Sequence, residues 1–239
     1  MRIAVVSDIH GNLTAFEAVL ADLKQVSPDL IFHGGDLADN GSSPVEVVDR
    51  IRELGWPGVA GNTDEMLFRP ESLTEFVAQA PHLRSFFAAI GEMPEWTRAA
   101  LSEERLAWLR DLPRVQIHPP LALVHASPES AWRAPAPEAD DAEFERVYGP
   151  LGQPIAVYGH IHRSFIRRVG ELTVVNTGSV SLSQDGDPRA AYLLLDGSEP
   201  VIRRVEYDIE KEAEALKNSA LPHAEWVARC ITAGKFQTL

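Results

Sequence analysis

The sequence predicts an α/β fold, and three observations carry that prediction. Short apolar, β-branched runs recur along the chain, and each stops at a polar turn. From Arg2 to Asn62 these runs alternate with stretches of helical spacing, giving strand–helix–strand–helix–strand. One of the helices carries complete start and stop signals in its residues. Parallel β-α-β units with right-handed crossovers satisfy this order.

The elements follow in turn. "RIAVVSD" reads as a buried strand. "NLTAFEAVLADLKQ" places Leu13, Phe16, Leu20 and Leu23 at helical spacing. "LIFHGGD" is a second buried strand. In "SSPVEVVDRIRELG", Ser43 is the expected N-cap, Pro44 the first helical residue, Glu46 the capping-box partner and Gly55 the stop. "WPGVAGN" reads as a third, short strand. Glu65 to Leu112 reads as helical pieces broken at Pro81, Gly91, Pro94 and Pro113, an insert over one edge of the core. "LALVH", "IAVYG" and "LTVVN" are three more buried strands. "AAYLLLDGSEPVIRRVEYD" is a hairpin turning at Asp196-Gly197-Ser198. "SPESAWRAPAPEADD" is irregular, and the tail from Ile209 is helical with a break at Pro222. The chain reads as one domain over 1–239, with a helical insert at about 65–112 and a helical tail at about 209–239.

Composition narrows the function. The 239 residues are 45% hydrophobic, enough for one substantial core. A formal net charge of −13 disfavours tracking along long duplex nucleic acid. A local cationic site stays compatible with it, since a bound metal can dominate the field around itself. The single cysteine, Cys230, excludes an intrachain disulfide and a thiolate metal cluster. No apolar run reaches membrane length, so a soluble protein of the reducing cytoplasm, without a membrane partner, is expected.

The chemistry lies at the downstream ends of the expected strands. They end in Ser7-Asp8-Ile9-His10, Gly34-Gly35-Asp36, Gly61-Asn62, His125, Gly159-His160-Ile161-His162 and Asn176-Thr177-Gly178-Ser179. In open α/β sheets ligands bind outside these carboxyl ends. The donors offered are carboxylate and amide oxygen and imidazole nitrogen, without sulfur, a set that suits Mn, Fe, Zn, Ni or Co rather than Ca. Asp8 and His10, two apart on an extended segment, leave the chain on the same side, as do His160 and His162. Asp8, His10, Asp36, Asn62, His125, His160 and His162 exceed what one tetrahedral zinc uses, and suit two metals about 3.5–4 Å apart. A carboxylate bridges such a pair readily, and Asp36 is centrally placed for it. Taken singly, each motif reads as a turn, a cap or a satisfied buried histidine; their co-occurrence in order is what points to a site. His82, His118 and His223 lie near prolines and read as surface or loop, and His33 reads as structural.

In that order, D-x-H, G-D, G-N, H and G-H-x-H, the sequence resembles the calcineurin-like metallophosphoesterases. "SDIHGN", "GNTDE", "GHIH" and "NTGSV" look most like their small bacterial phosphodiesterase branch, over roughly Arg2 to Val180. The resemblance implies an α-β-β-α sandwich of two mixed sheets flanked by helices. It implies that Asp8, His10 and His162 bind a first metal, that Asp36 bridges, and that Asn62, His125 and His160 bind a second. The implied cofactors are two divalent transition-metal ions per chain, manganese first. The implied activity is phosphodiester hydrolysis by a metal-bridging hydroxide, with Asp36, Asn62 and His125 in the catalytic set.

Two departures bear on substrate. Monoesterases and protein phosphatases of the family have histidine after Gly-Asn, where this chain has Thr63. Thr63 is no acid near neutral pH, which tilts the expectation toward diesters. Asp64 keeps the acidic position without its imidazole partner, and capping the following helix is its favoured role. The NTGSV motif lacks a proline that many relatives carry, at little expected consequence. Asn12 and Arg163 are weaker candidates for substrate binding, Asn12 having helix capping as the alternative. Trp132 and Arg133 lie where they could touch substrate, with packing the alternative for the indole. The expected substrate is a small phosphodiester or nucleotide. A phosphomonoesterase, a dinucleoside polyphosphate hydrolase, a nuclease for short oligonucleotides and a non-enzymatic scaffold are the alternatives. The oligomeric state is left open, a homo-oligomer included.

Overall fold

The computed structural model describes residues 1–239. Its strands form two mixed sheets. In the first, β1 (Arg2–Val6) pairs in parallel with β2 (Leu30–His33) and antiparallel with β8 (Ala190–Asp196), which continues into β9 (Glu199–Val205). In the second, β4 (Leu121–Val124), β5 (Ile155–Tyr158) and β7 (Leu172–Asn176) run parallel. Antiparallel edges β3 (Val115–His118) and β6 (Phe165–Val169) flank them.

The period-two alternation of side chains builds the layers. Ile3 and Val5 of β1 face the second sheet and pack with Phe32, Leu121, Leu123, Ile155 and Val157. Ala4 and Val6 face the other way, against Phe16 and Leu20 of α1 (Leu13–Val26) and Val47 and Ile51 of α2 (Pro44–Leu54). In β5, Ile155 and Val157 point inward, whereas Ala156 and Tyr158 pack on Phe144 and Tyr148 of α8 (Asp141–Tyr148). The result is helix, sheet, sheet, helix, the sandwich that the resemblance implies.

Several elements differ from the sequence reading. "WPGVAGN" makes only one parallel bridge, His33 with Gly58, because Pro57 has no N–H to donate and the chain turns directly into α3 (Asn62–Phe68). Ser43 makes no capping bond with its side chain, its Oγ lying 3.1 Å from Ser42 Oγ, although Pro44 and Gly55 start and stop α2 as expected. Pro94 does not break the chain; it sits in the first turn of α6 (Glu92–Ala100), where no intrahelical N–H bond is lost. The edge strands β3 and β6 and helix α8 have no counterpart in the sequence reading. β6 reads FIRRV, and its two arginines mask the strand pattern.

The helical run continues through α4 (Glu71–Gln79), a 3-10 turn, α5 (Arg84–Ile90) and α7 (Glu103–Arg110). The loop after β4 ties it down. Trp132 Nε1 donates to Glu65 Oε2 at 2.7 Å, and the indole stacks on Phe76 with centroids 4.8 Å apart. Trp132 therefore packs on the helical run. The tail forms α9 (Ile209–Asn218) and α10 (Ala224–Ala233), separated around Pro222. No helix is long and apolar enough to cross a membrane.

His33 is fully buried, and neither ring nitrogen has a partner. Burial pushes its pKa from 6.5 down to about 3. The unfolded chain therefore takes up a proton that the folded chain refuses, and stability falls as pH drops below about 6.5. Denaturant unfolding at pH 7 and pH 5 should show this loss shrinking by about 2 kcal/mol in His33→Leu. An unchanged loss would show that His33 does not titrate on unfolding.

Candidate metal centre

The parallel strands of both sheets end on one edge, and the loops beyond them bring the seven expected donors together. Asp8, His10, Asp36 and His162 are buried, and their donor atoms lie within 4.8 Å of one another. Asn62 gathers the rest: its Oδ1 lies 3.0 Å from His125 Nε2 and 2.8 Å from His160 Nδ1. Asp36 joins the two groups through a single oxygen. Its Oδ2 is 3.7 Å from His10 Nε2 and 3.4 Å from His125 Nε2. Its Oδ1 accepts the Thr63 N–H at 2.8 Å.

The backbone that presents these donors is not extended. Asp8 and His10 lie beyond β1 with φ of 58° and 50°; Asp36 has 54°, His160 66° and His162 54°. All five occupy the left-handed region, which costs a non-glycine residue of order 1 kcal/mol. The shared side on which Asp8 and His10 leave the chain thus comes from paired left-handed residues, a correction to the extended geometry expected from sequence. Surrounding bonds hold this conformation. Ser179 Oγ donates to the Asp8 carbonyl at 2.9 Å, and the His160 N–H donates to the Asp8 carboxylate at 3.1 Å. Asp64 accepts the backbone N–H groups of Asp36, Gly61 and Leu37 at 2.8, 2.9 and 2.9 Å. It does cap the start of α3, but it also reaches across to fix the Asp36 loop. Glycine is required at 61 and 159 by close approach: a Cβ at Gly61 would overlap the Asp36 carboxylate, and one at Gly159 that of Asp8.

Hydrogen bonding fixes the imidazole tautomers. His10 Nδ1 faces the Asp39 carbonyl at 2.9 Å, His125 Nδ1 that of Gly34 at 2.8 Å, and His162 Nδ1 that of Leu182 at 2.6 Å. With Nδ1–H donated, each Nε2 is the ring nitrogen left facing inward, where it can take a proton or a cation. His10 Nε2 and His162 Nε2 stand only 3.2 Å apart. Two lone pairs at that distance repel unless a proton or cation lies between them. Imidazole and carboxylate together suit a divalent transition metal, so Asp8, His10, Asp36 and His162 could hold one.

The electrostatics agree. Burial would raise the Asp8 and Asp36 carboxyls, but the neighbouring histidines outweigh it and hold both below the usual carboxylate range. Burial pulls His125 down, yet Asp36 and Asp8 override it and push it up to about 10. Desolvation and the neighbouring His125 pull half-buried His160 down to about 4. The two carboxylates thus draw positive charge into this buried site, a proton or a cation alike.

The two substrate-binding candidates, Asn12 and Arg163, make other contacts within the protein. Asn12 is buried with both ends of its amide in use: Oδ1 caps α1 at Ala15 N, 2.8 Å, and Nδ2 donates to Ser181 Oγ at 3.1 Å. The helix cap expected as its alternative role is formed. Arg163 is exposed, and its guanidinium pairs with Glu138 at 3.1 Å. Sequence reasoning missed Asp39, three residues after Asp36. Its backbone carbonyl orients His10, and its buried carboxyl accepts Thr97 Oγ1 at 2.6 Å. Burial pushes that carboxyl up to about 7. The second aspartate of "GDLAD" was its only signal.

Such a fold, with carboxylates and imidazoles converging where two sheets meet, defines a phosphoester hydrolase of the metal-dependent kind. Residues 1–199 match the calcineurin-like phosphoesterase superfamily domain, and the chain belongs to that superfamily. It is 32% identical to an uncharacterized protein of Methanocaldococcus jannaschii, over 98% of each chain. It is 26% identical to the phosphodiesterase YfcE of Escherichia coli, over 82% of this chain and 88% of that one. A symmetrical bis(5'-nucleosyl)-tetraphosphatase of Methylococcus capsulatus is 32% identical over 62% of this chain and 50% of its own. Among solved structures, a metallophosphoesterase from Sphaerobacter thermophilus superposes with a TM-score of 0.78 at 26% identity, covering 98% of this chain and 100% of that one.

Proposed function

We propose that this chain is a dinuclear metal-dependent phosphodiesterase acting on small substrates in the cytoplasm. The observation that carries the reading is Asp36 Oδ2, set between His10 and His125 so that one oxygen faces both donor groups. Asp8, His10 and His162 with Asp36 would hold one ion, and Asn62, His125 and His160 with Asp36 the other, manganese being the first choice. When bound, the ion pair supplies charge to polarise the ester phosphate and an acidified water near neutral pH.

The chain's own residues do the rest. The carbonyl bonds to Nδ1 of His10, His125 and His162 hold each ring in the ligand tautomer. Asp64 and Thr63 N–H hold the bridging carboxylate still, which is preorganisation in a buried site. Thr63 in place of histidine leaves no imidazole acid beside the departing oxygen, and this favours diesters over monoesters. The relationship to YfcE supports the same reading.

The test compares bis(p-nitrophenyl) phosphate with p-nitrophenyl phosphate on Mn²⁺-loaded protein, alongside metal analysis. Diester turnover should exceed monoester turnover by about tenfold or more, with two ions per chain. Monoester turnover far above diester turnover would overturn the diesterase reading.

A further inference from the structure

The helical run after Asn62 walls a passage that ends at the candidate metal centre. Its inner end is a cavity of about 80 Å³ lined by the polar Asp39, Asn40, Asn62 and Thr63 and the apolar Leu73, Phe87 and Ile90. Its outer end is a groove of about 840 Å³ between α4, α5 and α6. Met66, Leu73, Phe87 and Pro94 line both, so the two lie back to back against the same side chains.

Thr63 makes this passage more than a crevice. The residue is only 6% exposed, and its Oγ1 has no hydrogen-bond partner in the protein. A buried hydroxyl without a partner is unfavourable. This one lines a cavity beside Asn62, the amide placed among His125 and His160. A ligand oxygen in the cavity would satisfy it. Leu73, Phe87 and Ile90 give the inner cavity its apolar lining, and the groove beyond is mixed. At the mouth stand Glu71, Glu92 and Glu95 against the single cation Arg98.

We propose that this passage is the subsite for the departing alcohol of the ester. Thr63 Oγ1 hydrogen-bonds the alcohol oxygen, Leu73, Phe87 and Ile90 pack its apolar or aromatic body, and the acidic mouth selects a neutral or cationic alcohol over an anionic one. The inference rests on the phosphodiesterase reading and names the leaving-group class for that site. A nucleotide leaving group, as from a dinucleoside polyphosphate, carries the wrong charge for this mouth.

The alcohol itself tests this without turnover. Phenol, tyramine and 4-hydroxybenzoate are titrated into the full chain by calorimetry and ligand-observed NMR, with inorganic phosphate and Mn²⁺ as a separate arm. Phenol and tyramine should bind, with 4-hydroxybenzoate at least about tenfold weaker. Leu73→Glu should abolish phenol binding and leave phosphate binding intact. Thr63→Val should weaken phenol roughly fivefold, and Thr63→Ser should restore it. The double variant Glu92→Lys, Glu95→Lys should narrow the gap between 4-hydroxybenzoate and tyramine. Circular dichroism checks that each variant folds. Equal phenol binding by wild type and Leu73→Glu, or equal binding of tyramine and 4-hydroxybenzoate, overturns the subsite. Phosphate binding without phenol binding sinks the subsite alone; phenol binding without Mn²⁺-dependent phosphate binding sinks the phosphodiesterase reading alone.

Discussion

Asp36→Asn is expected to lower diester turnover on the order of a thousandfold or more while the protein stays folded. Asparagine can still accept the Thr63 N–H with its amide oxygen, the bond that Asp36 Oδ1 makes at 2.8 Å. That orientation puts the amide NH₂ where Oδ2 now lies, 3.7 Å from His10 Nε2 and 3.4 Å from His125 Nε2. A neutral donor replaces an anionic acceptor at the one point shared by both groups. Bound Mn²⁺ should fall below two per chain, measured by metal analysis after dialysis, and the circular dichroism spectrum should match wild type. Full activity in this variant would show that the metal assignment is wrong.

Asp64→Ala is expected to lower stability by roughly 3–6 kcal/mol. Its carboxylate serves three backbone N–H groups, those of Asp36, Leu37 and Gly61. The side chain is fully buried, so alanine strands the donors without ready access to water. Each buried unsatisfied donor costs about 1–3 kcal/mol. For a chain of this size the thermal midpoint should drop by roughly 10–20 °C in scanning calorimetry. Activity should fall as well, because the Asp36 loop is anchored there. An unchanged midpoint would mean that the three N–H groups find other partners. Asp64→Asn, which keeps one acceptor oxygen, should fall between the two.

Much of the site was legible because a parallel α/β chain puts its chemistry at strand ends. The strand patterns at "RIAVV", "LIFH", "LALV", "IAVY" and "LTVV" locate those ends, and the donors follow within a few residues. What eluded the sequence depends on contacts between distant loops. Asp64 looks like a helix cap because its first bond is local; its bonds to Asp36 and Leu37 span 28 and 27 residues. The capping role of Asn12 was legible, but its second bond, to Ser181 on a loop 169 residues away, was not. The stretch around Val59 has strand composition, yet one bridge is all that Pro57 and the turn into α3 allow. Thr63 was recognised as a missing acid, but that its hydroxyl is buried and unpartnered is a property of packing alone.

The left-handed backbone at Asp8, His10, Asp36, His160 and His162 changes how the site should be dissected. An alanine scan there would confound two losses, the donor atom and the tolerance of positive φ that aspartate and histidine possess in greater measure. Glycine restores the backbone without restoring the donor, and asparagine keeps a near-isosteric side chain in the same twist. Each position therefore calls for a matched pair of variants, glycine beside alanine, and the difference between them isolates the conformational share. The same double requirement narrows the alphabet open to these positions in any redesign. A β-branched residue would be rejected by the main chain whatever its side chain was asked to do.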